Sequence, residues 1–314
     1  MRIHFWGVRG SIPVVKSSSQ IKSKISAILE QLTVEDLKDV ESKERFLAGL
    51  PPWLFGAVGG NTPCVSVLFE DTGTCIVFDC GSGLRELGNH AAEVFSPSPK
   101  QFHIFLSHFH WDHLQGLPFF GPLYDPSVKL DFYSPKTQLE KALNTQMGAP
   151  FFPVNFNKTG SAKTFNLIKA PLEIDGRQIS FKKLNHPGDS FAYCISEKGK
   201  RFIYATDVEL TAPDFMKTRD NSAFFQDADM IVLDCQYTMG EAITKYNWGH
   251  SSFTSAVDFA VNWGIKHMVM FHHEPLYNDR KLYGIFHSAQ WYLKRMDIKG
   301  LEISLACEGK ELNL

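Results

Sequence analysis

His108-Phe109-His110-Trp111-Asp112-His113 follows directly on an apolar run, residues 102–106, and Ser107. A buried strand that ends here would place three imidazoles and one carboxylate in one tight loop. Because side chains alternate along a strand, His108 and His110 can face the same ion, while Asp112 and His113, after the turn, can face a second ion. Imidazole together with carboxylate suits zinc, and manganese or iron are alternatives. The stretch therefore predicts a metal site at the end of a strand.

This stretch resembles the His-x-His-x-Asp-His motif of the metallo-β-lactamase superfamily. Four further segments resemble other motifs of that family, in the family's order: Asp79 in 77–83, His186 in 184–188, Asp207 in 204–207 and His272 in 270–275. The segments 5–13 and 59–62 resemble the phosphodiesterase and tRNase Z-like branch. The resemblance spans residues 77–275 and implies a hydrolase that uses two metal ions.

The resemblance also implies a role for each site residue. The first ion would be held by His108, His110 and His186, the second by Asp112, His113 and His272, with Asp207 bridging the two and Asp112 also counted as catalytic. Asp79 would order the ligand loop through hydrogen bonds, although an aspartate before a Gly-containing turn is also common turn chemistry. The doublet His272-His273 leaves the last ligand open. Its position before the Pro-containing turn favours His272, with His273 as a supporting neighbour.

His250 lies in Trp248-Gly249-His250-Ser251-Ser252, just before a helical run at 252–263. A helix N-terminus favours anions. The segment resembles the Gly-His-Ser-Thr motif of tRNase Z-like enzymes, whose His contacts the scissile phosphate and is not a metal ligand. The resemblance implies that His250 is catalytic, either as a charge stabiliser or as a proton donor to the leaving oxygen. A solvent-exposed His near a helix cap is the alternative.

Apolar periodicity predicts an α/β fold. Strands are expected near 2–6, 64–70, 74–79, 101–107, 128–133, 166–173, 178–185, 190–196, 201–206, 229–234, 266–271 and 301–306. Helices are expected near 83–95, 135–147, 252–263 and 279–296. Each half reads as strands followed by helices, which fits two sheets packed face to face with helices outside. The resemblance implies the four-layer αββα metallo-β-lactamase sandwich, as one domain over 1–314.

Residues 16–58 depart from the family pattern, where relatives carry a much shorter loop. Ile21, Ile25, Ile28, Leu29 and Leu32 follow helical spacing and predict an amphipathic helix. A second apolar stripe (Leu37, Val40, Leu47) follows a cap signal at 33–36 and ends at Gly49 and Pro51-Pro52. We expect a helical insertion whose stripe is buried, either on the same chain or across a homodimer. It could decorate the surface, close over the substrate or form a dimer contact.

Composition limits the partners and the compartment. The net charge of −2 over 314 residues gives no general attraction to nucleic acid or to anionic membranes. The six Cys show no Cys-x-x-Cys pairing and fit a reducing compartment. The chain has no apolar run long enough to span a membrane and no signal peptide pattern, so we expect a cytoplasmic protein.

The function that fits best is a phosphodiesterase that cleaves a small or cyclic, nucleotide-type phosphodiester by attack of a bridging hydroxide. A tRNA 3′-end endonuclease is the first alternative. It would need a basic, Gly-rich arm, for which residues 155–170, with Lys158, Lys163 and Lys169, are a poor substitute. A thioester or lactone hydrolase stays open, because the fold alone does not decide the reaction. The intact ligand set argues against a non-catalytic signalling protein.

Overall fold

Two β-sheets pack face to face between helices in the computed structural model, which describes residues 1–95 and 98–314. This is the predicted αββα sandwich. In chain order the strands of the described residues are β1 (Arg2–Gly7), β2 (Cys64–Phe69), β3 (Thr74–Phe78), β4 (Gln101–Phe105), β5 (Lys129–Ser134), β6 (Ala162–Leu167), β7 (Leu172–Ile174), β8 (Arg177–Lys183), β9 (Phe191–Glu197), β10 (Lys200–Ala205), β11 (Met230–Asp234), β12 (His267–Phe271), β13 (Glu302–Leu305) and β14 (Glu311–Asn313).

The two sheets repeat one plan. The first has the order β14-β1-β2-β3-β4-β5-β6 and the second β13-β12-β11-β10-β9-β8-β7. Strands β3 to β6 are parallel, as are β10 to β13, and the remaining neighbours are antiparallel. Ligands of open parallel sheets bind at the carboxyl ends of the strands. The carboxyl ends of β3, β4, β10 and β12 are where the predicted metal residues follow.

Strand β3 shows how the sequence builds the layers. Ile76 and Phe78 belong to the core between the sheets, whereas Cys75 and Val77 belong to a second core beneath the outer helices. A strand buried on both faces is a continuous apolar run without polar alternation. Phe78 stacks on Tyr204 of β10 with ring centroids 4.9 Å apart, so this aromatic contact joins the two sheets directly below the site.

The outer layers consist of helices. In chain order they are α1 (Ser18–Leu29), α2 (Val40–Gly49), α3 (Pro52–Phe55), α4 (Gly83–Val94), α5 (Leu139–Gln146), α6 (Ala212–Phe215), α7 (Arg219–Phe225), α8 (Met239–Thr244), α9 (Phe253–Asn262) and α10 (Asp279–Arg295). The short helices α6 to α8 were not predicted, because they contain too few turns to show periodicity. The predicted strand 166–173 was wrong, since β6 ends at Leu167 and β7 begins at Leu172.

The segment 16–58 contains helices α1, α2 and α3, in the place where the helical insertion was predicted. Helix α1 begins with a capping box of Ser17 and Gln20. The predicted cap at 33–36 precedes only a single 3₁₀ turn, and α2 is capped by Asp39 instead. Helix α2 ends at Gly49, as predicted.

Of the two alternatives for the apolar stripe of α1, burial on the same chain is not what the structure shows, and burial across a homodimer stays a prediction. Ile21, Ile25 and Leu29 remain 47%, 52% and 61% exposed, and only neighbouring positions such as Ile28 are half-buried. The half-buried positions of the helix are Lys24, Ala27 and Ile28, and the Lys24 ammonium donates to the carbonyl of Gly56 and to Asp279. The periodicity identified the helix correctly, but a stripe alone does not say which neighbour covers it.

A buried carboxylate anchors this segment. Asp279, at the start of α10, is 2% exposed and accepts hydrogen bonds from the ammonium groups of Lys16 and Lys24, the latter at 2.6 Å. It also accepts the backbone N–H of Val58 at 3.1 Å, so it holds both ends of the insertion. No helix of the described residues has the length and apolar character needed to cross a membrane.

We predict that Asp279→Asn loosens the insertion without unfolding the sandwich. Hydrogen bonds to charged groups contribute about 1.5–3 kcal/mol each, and the substitution removes the charge that two lysines share. Hydrogen–deuterium exchange should therefore become faster in residues 18–55 and stay unchanged in β3 and β10. The matched control is Asp297→Asn, whose side chain is 86% exposed beside Lys299. Equal exchange in both variants would show that Asp279 is not the anchor.

Candidate metal centre

The predicted metal residues converge between the two sheets. Each lies just past the end of a strand: Asp79 after β3, His108 to His113 after β4, His186 after β8, Asp207 after β10 and His272 after β12. All of these residues except Asp79 form two groups, and within each group the possible ligand atoms lie within 4.8 Å of one another. These are His108, His110, His186 and Asp207, and Asp112, His113, Asp207 and His272. The grouping is the same as that implied by the family resemblance.

Three of these strand ends turn through an unfavourable backbone conformation. Asp79, Asp207 and His272 have φ values of 61°, 51° and 59°. The left-handed region is uncommon for residues other than Gly, and such positions cluster at functional sites because surrounding contacts must hold them there. The turns direct the three side chains into the space between the sheets.

The first group surrounds one side of Asp207. His110 Nδ1 and His186 Nε2 lie 3.2 Å apart, and His108 Nε2 and His186 Nε2 lie 3.6 and 3.7 Å from Asp207 Oδ2. His186 is fixed by Nδ1–H, which donates to the carbonyl of Gly249 at 2.8 Å. Gly249 has φ +88°, and a Cβ there would lie 2.2 Å from His186 Nδ1, so only glycine fits.

The second group uses the other oxygen of Asp207. Its Oδ1 lies 3.2 Å from Nε2 of both His113 and His272. Asp112 Oδ2 lies 3.2 Å from His113 Nε2 and 3.3 Å from His272 Nε2, and it accepts the backbone N–H of Ser11 at 2.8 Å. One carboxylate therefore offers one oxygen to each group.

The donor atoms fit divalent cations. Nε2 of His108 and Nε2 of His113 are buried and have no hydrogen-bond partner among the described residues. Buried polar nitrogens without partners are costly, and a metal ion would satisfy them. Burial lowers the pKa of His108 well below its ordinary value, which leaves the neutral imidazole that a metal requires.

The charges around the second group also favour a cation. Burial lowers the pKa of His113, but the carboxylates of Asp207, Asp112 and Asp79 outweigh it and hold this pKa well above its ordinary value. Burial raises the pKa of Asp207, but the imidazoles of His113, His272 and His108 outweigh that effect and hold it well below its usual range. The surplus of negative charge that holds a proton on His113 would equally attract a metal ion.

Asp79 orients the ligand loop from beneath. Its Oδ2 accepts His113 Nδ1–H at 2.8 Å and the Tyr204 hydroxyl at 2.8 Å, and its Oδ1 accepts the backbone N–H of Ser107 at 2.7 Å. The Ser107 hydroxyl in turn lies 3.0 Å from His108 Nδ1. Asp79 thus contacts one ligand directly and a second through Ser107, which are the hydrogen bonds expected of it.

The structure separates the two members of the His272-His273 doublet. His272 Nδ1–H donates to Gln236 Oε1 at 3.0 Å, so its Nε2 points at the two carboxylates. The ring of His273 turns the other way, with Nε2–H donating to the carbonyl of Ala306 at 2.9 Å, and burial lowers its pKa to about 3. The ring of His273 therefore makes its hydrogen bond to the backbone and not to a residue of either group. Successive residues at a strand end face opposite sides.

His250 lies at the mouth of the site, paired with a residue that the sequence did not identify. Its Nδ1 lies 2.7 Å from Oδ2 of Asp234, the buried last residue of β11. Burial lowers the pKa of His250, but the carboxylates of Asp234, Asp207 and Asp112 together outweigh burial and raise this pKa above its ordinary value. Asp234, His250 and His272 form a third group of possible ligands within 4.8 Å. With Nδ1 committed to Asp234, Nε2 of His250 is the ring nitrogen left to meet a substrate.

The substrate can reach these residues through an open cleft of about 460 Å³. Its lining combines members of both groups with His250, a half-buried phenylalanine and an exposed tryptophan: Ser11, Phe109, His110, Trp111, Asp112, Asp207 and His250. Asp234 and Gln236 were missed by the sequence analysis because they carry no motif of their own, and Ser11, within the segment 5–13, was given no role there. The sharp change to polar residues after the apolar strand β11 was the available signal for Asp234 and Gln236.

Comparisons with known proteins agree with this geometry. Residues 74–273 match the model of the β-lactamase superfamily domain. Ribonuclease Z from Prochlorococcus marinus (strain MIT 9515) is 23% identical over 271 residues, which cover 71% of this chain and 85% of that protein. Other relatives match over less than half of their own length. Ribonuclease Z of Pyrococcus abyssi, for example, is 29% identical, with 45% of this chain and 44% of the relative covered.

Solved structures share the fold at low identity. The metallo-β-lactamase fold protein YhfI from Bacillus subtilis has a TM-score of 0.64 and 16% identity, with 99% of this chain and 98% of that chain covered. A diphosphatase from the PhnP family has a TM-score of 0.63 and 16% identity, with 100% and 97% covered. Because the family domain matches residues 74–273, most of the chain, the protein belongs to the β-lactamase superfamily and is a metal-dependent hydrolase of that superfamily.

Proposed function

We propose that the protein is a phosphodiesterase that uses two divalent metal ions, zinc in the first place, to cleave a small or cyclic phosphodiester. The observation that carries the proposal is the Asp207 carboxylate with one oxygen toward each ligand group, beside an imidazole that belongs to neither. His108, His110 and His186 would hold one ion, Asp112, His113 and His272 the other, and Asp207 both. Two ions a few ångströms apart supply an acidic bound water and neutralise the charge of a phosphoryl group.

The chain itself would position the substrate and handle a proton. Asp234 accepts from His250 Nδ1–H and is itself held by the backbone N–H groups of Gln236 and Ser251. This arrangement fixes the imidazole and leaves Nε2–H free to donate to a phosphate oxygen or to the leaving oxygen. Ser11, Asp112 and His250 all line the cleft, so a phosphodiester there would contact the proton donor and the metal residues together.

Endonucleolytic cleavage at tRNA 3′ ends is the second candidate, favoured by the ribonuclease Z relatives. The structure of the segment 155–170 argues against this candidate function. The Lys163 ammonium donates to the carbonyls of Thr159 and Ser161 at 3.1 and 2.7 Å and lies over the Phe156 ring, and residues 162–167 form the sheet strand β6. Affinity for RNA depends mainly on cations free to contact phosphates.

Substrate screening tests the proposal. We expect protein stripped by a chelator to hydrolyse bis-p-nitrophenyl phosphate and cyclic nucleotides only after metal is added back, and to leave acyl thioesters and lactones nearly untouched. Preferred cleavage of a tRNA precursor at its 3′ end would favour the second candidate instead. Preferred cleavage of thioester or lactone would exclude both.

We predict that Asp207→Ala loses both metal ions together. A carboxylate shared by two ions supports each of them, so its removal weakens both sites. The measurement is the metal content of purified protein by mass spectrometry, after dialysis against a metal-replete buffer. The matched variant Asp112→Ala removes a ligand of the second group alone and should lose one ion. An Asp207→Ala protein that still holds two ions would contradict the bridging assignment.

We predict that His250→Ala keeps both ions but loses much of the activity on diesters with poor leaving groups. A positioned proton donor contributes roughly 10²–10⁴-fold to rate. The defect should shrink with p-nitrophenolate, which needs no proton to leave, and this dependence on the leaving group is read from kcat with a series of esters. Equal losses along the series would mean that His250 only stabilises charge. Loss of metal would make it a ligand.

We predict that Asp234→Asn changes activity in the same direction as His250→Ala and by a smaller factor. The amide can still hydrogen-bond His250, but it no longer supplies the negative charge that fixes the proton-donating form of the ring. The double variant should be no worse than His250→Ala alone, because the two residues act as one unit. If the two losses multiply in the double variant, Asp234 acts by another route.

A further inference from the structure

A second cleft opens beside the metal centre, and the proposed function does not account for it. It has a volume of about 660 Å³, within the range of clefts that bind small molecules. It shares Phe109 and Trp111 with the metal-site cleft, so the two clefts adjoin at these residues. We call it the aromatic cleft and define it by Trp111, Phe119, Phe151 and Phe152 together with three glutamines, Gln115, Gln138 and Gln146.

Several of its rings face solvent. Trp111, Phe119 and Phe151 are 80%, 58% and 69% exposed, although large aromatic side chains are usually covered. The rings of Phe119 and Phe152 meet edge to face with centroids 5.8 Å apart, so this wall is packed and held in place. By contrast Phe120, the next residue along, is fully buried in the core against Phe102. Exposure is therefore found in the rings that line the cleft and does not extend to the neighbouring aromatic residue along the chain.

The uncharged polar side chains of the cleft are three amides and the hydroxyl of Thr145. Gln115 donates to the Thr62 hydroxyl at 2.9 Å, and Gln146 donates to the carbonyl of Leu114 at 2.7 Å. The other end of the Gln146 amide, Oε1, is buried and has no hydrogen-bond partner among the described residues. Lys141 is the single charged residue of the described lining. The cleft therefore offers ring faces and amide groups but little charge.

This combination selects one class of ligand. A nucleobase has a π-face for the exposed rings and an edge of donors and acceptors for the amides. An alkyl chain would cover the glutamine amides without replacing their hydrogen bonds to water, which is costly. A longer RNA strand would need several cations along its backbone, and Lys141 alone does not supply them.

We propose that the aromatic cleft binds the nucleobase of the substrate while the adjoining phosphodiester lies at the metal residues. The inference rests on the proposed function and adds the substrate class, a nucleotide diester. Trp111 is adjacent in sequence to Asp112, with Cα atoms about 3.8 Å apart, so the cleft begins at a distance that one sugar can span. Phe151 and Phe119 line the aromatic cleft but not the metal-site cleft, and they provide its further stacking surfaces.

The test measures binding and needs no turnover. The probes are thymidine 5′-monophosphate and 2-deoxyribose 5-phosphate, which differ only in the base, titrated by calorimetry into metal-loaded protein. We expect the wild-type protein to bind the nucleotide more tightly than the sugar phosphate. Phe151→Ala should weaken the binding of the nucleotide by roughly 5- to 100-fold, the range of base–aromatic stacking. The affinity for the sugar phosphate should stay nearly unchanged. The matched control is Phe55→Ala, which removes a 63% exposed phenylalanine on α3 outside the cleft.

The outcomes separate the two proposals. Equal affinity for the two probes in wild-type protein, or equal weakening of both by Phe151→Ala, would overturn the nucleobase assignment even if diesters are cleaved. Tighter binding of decyl phosphate than of the nucleotide, lost in Phe151→Ala, would overturn it in favour of an alkyl chain. A protein that prefers the nucleotide but cleaves no diester would keep the binding site and refute the proposed function.

Discussion

The carboxylate of Asp207 is the group on which the site depends. Its two oxygens face different sets of imidazoles. The imidazoles of each set come from separate loops, and the Asp207 carboxylate is the group that these loops share. Without a shared negative charge, the four buried imidazoles of His108, His113, His186 and His272 would lose their hydrogen bonds to water and gain no interaction in return. The arrangement makes sense as a place for cations, because cations satisfy the histidine nitrogens and the carboxylates at once.

The alignment of the two sheets places the imidazoles around the Asp207 carboxylate. Asp207 follows β10 in the second sheet, whereas His108 and His113 follow β4 in the first, so the groups meet only if the sheets keep their alignment. The stack of Phe78 on Tyr204 and the hydrogen bond from the Tyr204 hydroxyl to Asp79 tie the sheets together directly beneath the ligands. The strained turns at Asp79, Asp207 and His272 are tolerated because these contacts hold them.

Much of the candidate metal site could be predicted from the sequence. Each predicted ligand stands just after a predicted strand, as His108 does after the apolar run 102–106. The partners of the ligands were harder to find. Asp234 and Gln236 reach His250 and His272 from another strand, and only the folded chain reveals such contacts. The exposed stripe of α1 and the position of Phe151 were also not predictable, since periodicity identifies a helix but does not say what covers it. The choice between His272 and His273 needed the direction of each ring.

Anomalous diffraction from crystals of the metal-loaded protein, recorded at the zinc edge, tests the central claim most directly. The account predicts two peaks, one on each side of the Asp207 carboxylate, the first among His108, His110 and His186 and the second among Asp112, His113 and His272. A single peak, or a peak held by Asp234 and His250 in place of either, would contradict it.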